Sequence, residues 1–185
     1  MNDAQSDQRR RLWPVITPLV AVLVIVCLWW IYCWFQTSTT VFVVRHADKL
    51  SPTADALSPA GITRANQLAH VLGVAGIAAI YHSNTVRAQQ TAQPLATALG
   101  ITPVSYPPLD VAPLVADILA NHGGERVLVV GHSNTVPDVI EELGGAPGSD
   151  LDEGDYDNLF SVTRCHCTWG MPVVVNMRYG AETPP

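Results

Sequence analysis

From Leu12 to Val44 the chain carries no Asp, Glu, Lys or Arg, and so long an uncharged stretch admits few structures in water. Leu19 to Phe35 is an unbroken apolar run, and Leu12 to Phe35 is interrupted only by Pro14, Thr17 and Pro18. As a helix at ~1.5 Å per residue the longer span reaches ~36 Å, enough for a bilayer core of ~30 Å. Arg9, Arg10 and Arg11 precede the run and none follows before Arg45, which by the positive-inside rule expects a cytoplasmic N-terminus. Trp29, Trp30, Tyr32, Trp34 and Phe35 cluster at the far end, where amphipathic rings favour the headgroup level. A cleaved signal peptide is the rival reading. Its apolar region should be shorter and end in small residues, whereas this one ends in bulky aromatics before Thr37-Ser38-Thr39. A buried core helix is the third reading. The expectation is a cytoplasmic segment 1–11, a transmembrane signal-anchor helix 12–35, a short tether 36–40, a periplasmic or extracellular domain 41–180 and a tail 181–185.

Beyond the anchor the composition is that of an ordinary globular domain. The 185 residues include only 4 Cys, too sparse for a disulfide scaffold, and 48% are hydrophobic, which excludes a disordered chain. From Gln36 onward the residues are acidic in balance, with Lys49 the single lysine, so a basic face for nucleic acid is excluded.

The domain alternates between two periods. Short β-branched runs at Thr40–Val44, Ile77–Tyr81, Ile101–Val104 and Arg126–Val130 read as strands, and the stretches between them show helical spacing. Ser58-Pro59 is an N-cap followed by proline at the first helical position. The second helix, Val86 to Leu99, is stopped by Gly100. Val111, Leu114, Val115, Ile118 and Leu119 mark the third helix, and a fourth ends at Gly144-Gly145. Asn158–Arg164 and Pro172–Arg178 read as two final strands joined by a turn around Thr168-Trp169-Gly170. This pattern predicts an α/β three-layer sandwich: a mostly parallel sheet with helices on both faces, preceded by one transmembrane helix. The acidic stretch Asp150–Asp157 lacks the ligand spacing of a calcium loop and reads as a solvated loop.

In such sheets ligands gather beyond the carboxyl ends of the strands. Arg45 and His46 follow the first strand, His82, Ser83, Asn84 and Arg87 the second, and Gly131, His132, Ser133 and Asn134 the fourth. Singly, a histidine at a strand end is a surface or packing residue and an arginine entering a helix is solvated. Together, two Arg and two His suit a phosphoryl group. Arginine presents a planar fork of donors to phosphate oxygens, a neutral histidine can carry the group covalently, and a second stabilises the charge in flight.

The wording around these residues resembles one family. Val43-Val44-Arg45-His46-Ala47-Asp48-Lys49, Leu57-Ser58-Pro59-Ala60-Gly61, the run Tyr81 to Ala92 and Val129-Val130-Gly131-His132-Ser133-Asn134 are similar, in order, to four motifs of the histidine phosphatase (phosphoglycerate mutase-like) superfamily. The resemblance implies that His46 is the phosphorylated nucleophile and that Arg45, Arg87 and His132 bind phosphate, with Ser133 beside them. A polar residue that the family often places six positions after the nucleophile falls on Pro52 here, leaving Ser51 or a backbone amide. For the general acid the nearest match is Asp110, which as the residue before Val111-Ala112-Pro113 is equally well placed as an N-cap.

The implied activity is hydrolysis of phosphate monoesters or phosphohistidine by a membrane-anchored, metal-independent phosphatase, with no cofactor. The substrate is a small phosphorylated molecule, with an envelope glycolipid or sugar phosphate suggested by the short tether. Phosphoglycerate mutase-like transfer, or a non-catalytic phospho-ligand module, are the alternatives. Cys165-His166-Cys167 offers at most three metal ligands with no fourth motif nearby, so a turn or strand edge is expected there and no metal.

Overall fold

The computed structural model describes residues 18–31, 38–146, 149–165 and 171–183. The chain divides into two units, Met1–Gln36 and Thr37–Pro185. In the first, residues 18–31 form helix α1, whose side chains are exposed. Among the described residues no helix is long and apolar enough to cross a membrane. The rest of the expected span 12–35 lies outside the described residues.

The second unit holds one six-stranded sheet in the order β3-β2-β4-β1-β5-β6. Its elements are β1 (Ser38–Arg45), α2 (Pro59–Leu72), β2 (Ile77–Ser83), α3 (Val86–Leu99), β3 (Val104–Tyr106), α4 (Val111–Asn121), β4 (Arg126–Gly131), α5 (Thr135–Glu142), β5 (Asn158–Cys165) and β6 (Val173–Arg178). The four strands β3, β2, β4 and β1 are parallel neighbours, whereas β5 pairs antiparallel with β1 and β6 antiparallel with β5. The sheet is therefore mixed, mostly parallel with β5 alone running against the other strands. After α5 the chain returns to the sheet edge through the acidic loop and closes with a hairpin, which needs no crossover helix.

Alternation along the central strands builds two cores. Val41 and Val43 of β1 and Val127 and Val129 of β4 pack with Val111, Leu114, Val115 and Ile118 of α4 and Val136, Val139 and Ile140 of α5. Val44, Leu128 and Val130 face the other way, onto Leu68 and Leu72 of α2 and Ala88, Ala92, Leu95 and Ala96 of α3. A strand buried on both faces has to be apolar at every position, which is why Val127 to Val130 reads as a continuous run.

Three boundaries differ from the sequence reading. The third strand begins at Val104 and not at Ile101, because the N–H of Ile101 is used on Ala96 O to close α3. Gly100 makes that closure at φ +67, in the left-handed region that glycine adopts without strain. Ser38 to Thr40, expected in the tether, already pair with β5 opposite Cys165, Arg164 and Thr163. At the other end Ala181 O and Thr183 Oγ1 accept hydrogen bonds from Arg64 and the Tyr156 amide, which binds the start of the expected tail into the domain.

Candidate active site

Strands β1, β2 and β4 end side by side in register, with Arg45 opposite Gly131 and His82 opposite Val130. The turns that follow them therefore share one end of the sheet. His46, next after β1, is buried, and its amide bonds to Gly131 O. His132, next after β4, lies with its ring centroid 5.3 Å from that of His46. Arg87 enters from the first turn of α3, whose N-cap Thr85 accepts from Ala88 N.

The two histidines are held as opposite tautomers. Nδ1 of His46 donates to Ala47 O at 2.9 Å, leaving the lone pair on Nε2. Nδ1 of His132 accepts from Arg87 Nη2 at 3.3 Å, so Nε2 carries the proton, which it gives to Ser83 Oγ at 2.8 Å. Burial, helped by the Arg45 and Arg87 charges and opposed by the Ala47 carbonyl, pushes His46 down to about 3. Burial and the same two arginines push His132 down to about 4. Both rings are neutral at physiological pH.

The loop after His46 is tied down on both sides. Ala47 N donates to Thr91 Oγ1 at 2.9 Å, and that hydroxyl donates to Arg87 O at 2.8 Å, which links the first histidine motif to the arginine motif. Asp48 is bound by Arg64, with Nε to Oδ2 at 2.7 Å. A Cβ on Gly61 would collide with Asp48 O, which accounts for the glycine in the second motif.

The loop read as solvated is part of the site. Arg45 Nη1 donates to Asp152 O at 2.7 Å and Asp155 O at 3.3 Å, and Nη2 donates to Glu153 Oε2 at 3.4 Å. The Tyr156 ring lies 4.3 Å from the Arg45 guanidinium and 5.9 Å from the His46 ring. Arg87 Nη1 is paired with Asp55 at 2.9 Å. Against these partners, Arg45 Nε and Arg87 Nε are both buried without one. These two orphaned guanidinium N–H groups belong to the arginines whose charges act on His46, and such donors are costly to bury unless something fills them.

The other expected residues make contacts of their own. Ser133 contributes its carbonyl, which accepts from Leu151 N and holds the acidic loop. Ser51 O accepts from Ala54 N. Asp110 occupies the N-cap position of α4, but its side chain makes no cap bond and the residue is exposed. Cys165 lies in β5 opposite Ser38, a strand end as expected, while His166 and Cys167 lie outside the described residues. Glu153, Tyr156, Asp55 and Thr91 were missed. For Thr91 the Arg-x-x-x-Thr spacing was a usable signal, placing its hydroxyl one turn after Arg87 on the same helix face.

The family description "Histidine phosphatase superfamily (branch 1)" matches residues 41–110. No curated protein matches the chain significantly. Among solved structures, the protein histidine phosphatase SixA complexed with tungstate is 26% identical at a TM-score of 0.60, covering 75% of this chain and 96% of that one. A mycobacterial glucosyl-3-phosphoglycerate phosphatase is 17% identical at 0.57, covering 78% and 100%. A phosphoserine phosphatase from Entamoeba histolytica is 16% identical at 0.54, covering 78% and 98%; these last two speak to the fold. The match over residues 41–110 and the likeness in fold thus both point to the histidine phosphatase superfamily.

Proposed function

We propose that the protein is a membrane-anchored phosphatase that hydrolyses phosphate monoesters or phosphohistidine through a phosphohistidine intermediate on His46, without a metal. The observation that carries this reading is the free Nε2 lone pair of a neutral, buried His46 beside the two unpartnered arginine Nε–H groups. A phosphate entering there gives each orphan donor an oxygen. Nε2 attacks phosphorus and the ester P–O bond breaks, while Arg45 and Arg87 hold the charge that a metal would otherwise carry. Water then attacks phosphorus, the P–N bond breaks and inorganic phosphate leaves. The structural likeness to SixA, a protein histidine phosphatase, supports keeping phosphohistidine among the substrates.

Anchoring rests on the sequence: the apolar run Leu12–Phe35 and the flanking Arg9, Arg10 and Arg11 give a cytoplasmic N-terminus and a domain on the opposite side. The two orphaned arginine donors near His46 suit a small phosphorylated substrate, including an envelope glycolipid or sugar phosphate.

The test is to trap the enzyme with a labelled aryl phosphate. A label stable in base and labile in acid, abolished by His46→Ala and indifferent to EDTA, is the expected result. Label retained in that variant, or activity lost with the chelator, overturns the mechanism. Protease accessibility from the non-cytoplasmic side of intact cells tests the topology, and a mature N-terminus near Thr40 would overturn the anchor.

A further inference from the structure

Phosphoryl transfer from an alkyl ester needs a proton for the departing oxygen, and the four central side chains have none to give. His46 is the attacking group, His132 spends its proton on Ser83, and the two arginines keep theirs. Among the described residues, three carboxylates adjoin the constellation. Asp48 is locked to the buried guanidinium of Arg64. Asp55 is saturated, accepting from Val86 N at 3.0 Å, Arg87 N at 3.4 Å and Arg87 Nη1 at 2.9 Å. Its work is to fasten the 50–57 loop onto the start of α3.

Glu153 is different. One oxygen, Oε2, takes both Arg45 Nη2 at 3.4 Å and Lys49 Nζ at 3.3 Å, and the side chain is 79% exposed. Glu153 and Gly154 form the tip of a tight turn closed by Asp155 N on Asp152 O, and Asp152 O is itself fixed on Arg45. The carboxylate is thus delivered to the arginine by a rigid support while one face stays open to water. The nitrogen next to Nη2 on the same guanidinium is the buried, unpartnered Nε. A phosphate oxygen bound there would lie beside the Glu153 carboxylate, as neighbouring guanidinium nitrogens hold neighbouring acceptors. Two anions so placed repel unless they share a proton.

We propose that Glu153 is the proton-transfer residue of the cycle, a role that rests on the phosphohistidine reading of His46. Substrate binding brings a proton onto Glu153. As the Nε2–P bond forms and the ester P–O bond breaks, Glu153 gives that proton to the leaving oxygen. In the second half, Glu153 takes a proton from the water whose oxygen bonds to phosphorus while the P–Nε2 bond breaks. Phosphate departs and the carboxylate is again protonated. Asp110 is not needed for either step.

Rapid mixing of the full-length protein and its Glu153→Gln variant with 4-nitrophenyl phosphate tests the assignment. Nitrophenolate leaves without help, so the variant should give a burst of parental amplitude, which also counts its folded sites. It should then hold the phosphoenzyme, with steady turnover down about 100-fold, and lose turnover of a simple alkyl phosphate to a similar degree. Parental turnover of both substrates overturns the proposal. Tighter inhibition by inorganic phosphate with no loss of rate also overturns it, showing Glu153 to be only an anion that substrate displaces. If the parent forms no phosphoenzyme, the reading of His46 fails first and Glu153 with it.

Discussion

Arg87 donates to Nδ1 of His132, and that one contact decides where the His132 proton sits. The ring can only accept at Nδ1, so its N–H is on Nε2 and points at Ser83 Oγ. Removing the hydroxyl by Ser83→Ala leaves a buried donor without a partner. The expected cost is ~1–3 kcal/mol of stability, with about a tenfold loss in aryl phosphate turnover, equivalent to ~1.4 kcal/mol of barrier. Nitrogen-15 NMR of the imidazoles checks the cause: His132 should keep its Nε2–H tautomer, because Arg87 still donates to Nδ1, while its Nε2–H signal shifts and those of His46 stay put.

Thr91 makes the other decisive link. Its hydroxyl accepts from Ala47 N and donates to Arg87 O, and the residue is fully buried. Thr91→Val keeps the shape and strands the Ala47 amide, a loss of ~1–3 kcal/mol. Urea unfolding should show it, and Thr91→Ser should recover most of it.

Acid should unfold this domain through its site. His46 and His132 fall from an ordinary value of 6.5 to about 3 and about 4, so below pH 6.5 the unfolded chain binds protons that the folded one refuses. Their contribution is complete above pH 6.5 and is lost progressively as the pH drops towards 4 and then 3. The melting temperature of the parent should fall between pH 7 and pH 4.5 more steeply than that of a His46→Gln, His132→Gln double variant. Equal slopes would mean that other groups govern the acid limb.

Asp110 offers a contrast with Glu153. Exposed and without a side-chain cap bond, it has little to lose on substitution. Asp110→Asn and Asp110→Ala should both remain within ~0.5 kcal/mol of the parent in stability, with alkyl and aryl phosphate turnover unchanged. Selective loss of the alkyl activity in Asp110→Asn would return the acid role to this residue.

The grouping of Arg45, His46, Arg87 and His132 was legible because it depends on local signals. Each stands at the end of an apolar strand or in the first turn of a patterned helix, and a parallel sheet brings those ends together. Glu153 and Tyr156 left no such trace. Their loop has neither period, and its conformation is set by carbonyls turned towards a guanidinium more than a hundred residues away in sequence. The antiparallel pairing of β5 with β1 was equally hidden, since the composition of a strand does not state the direction of its neighbour. The start of β3 was misplaced because a helix cap borrowed the amide of Ile101, a competition that apolar character alone does not reveal.

Strand β1 begins at Ser38 and ends at Arg45, so His46 stands about 25 Å from the point where the chain enters the sheet, at ~3.3 Å per residue. One strand thus has a handle at its first residue and a tool just past its last. Substitutions at the strand's first residues are therefore a full strand's length from His46, so the anchorage of the strand and the chemistry at its end can change independently.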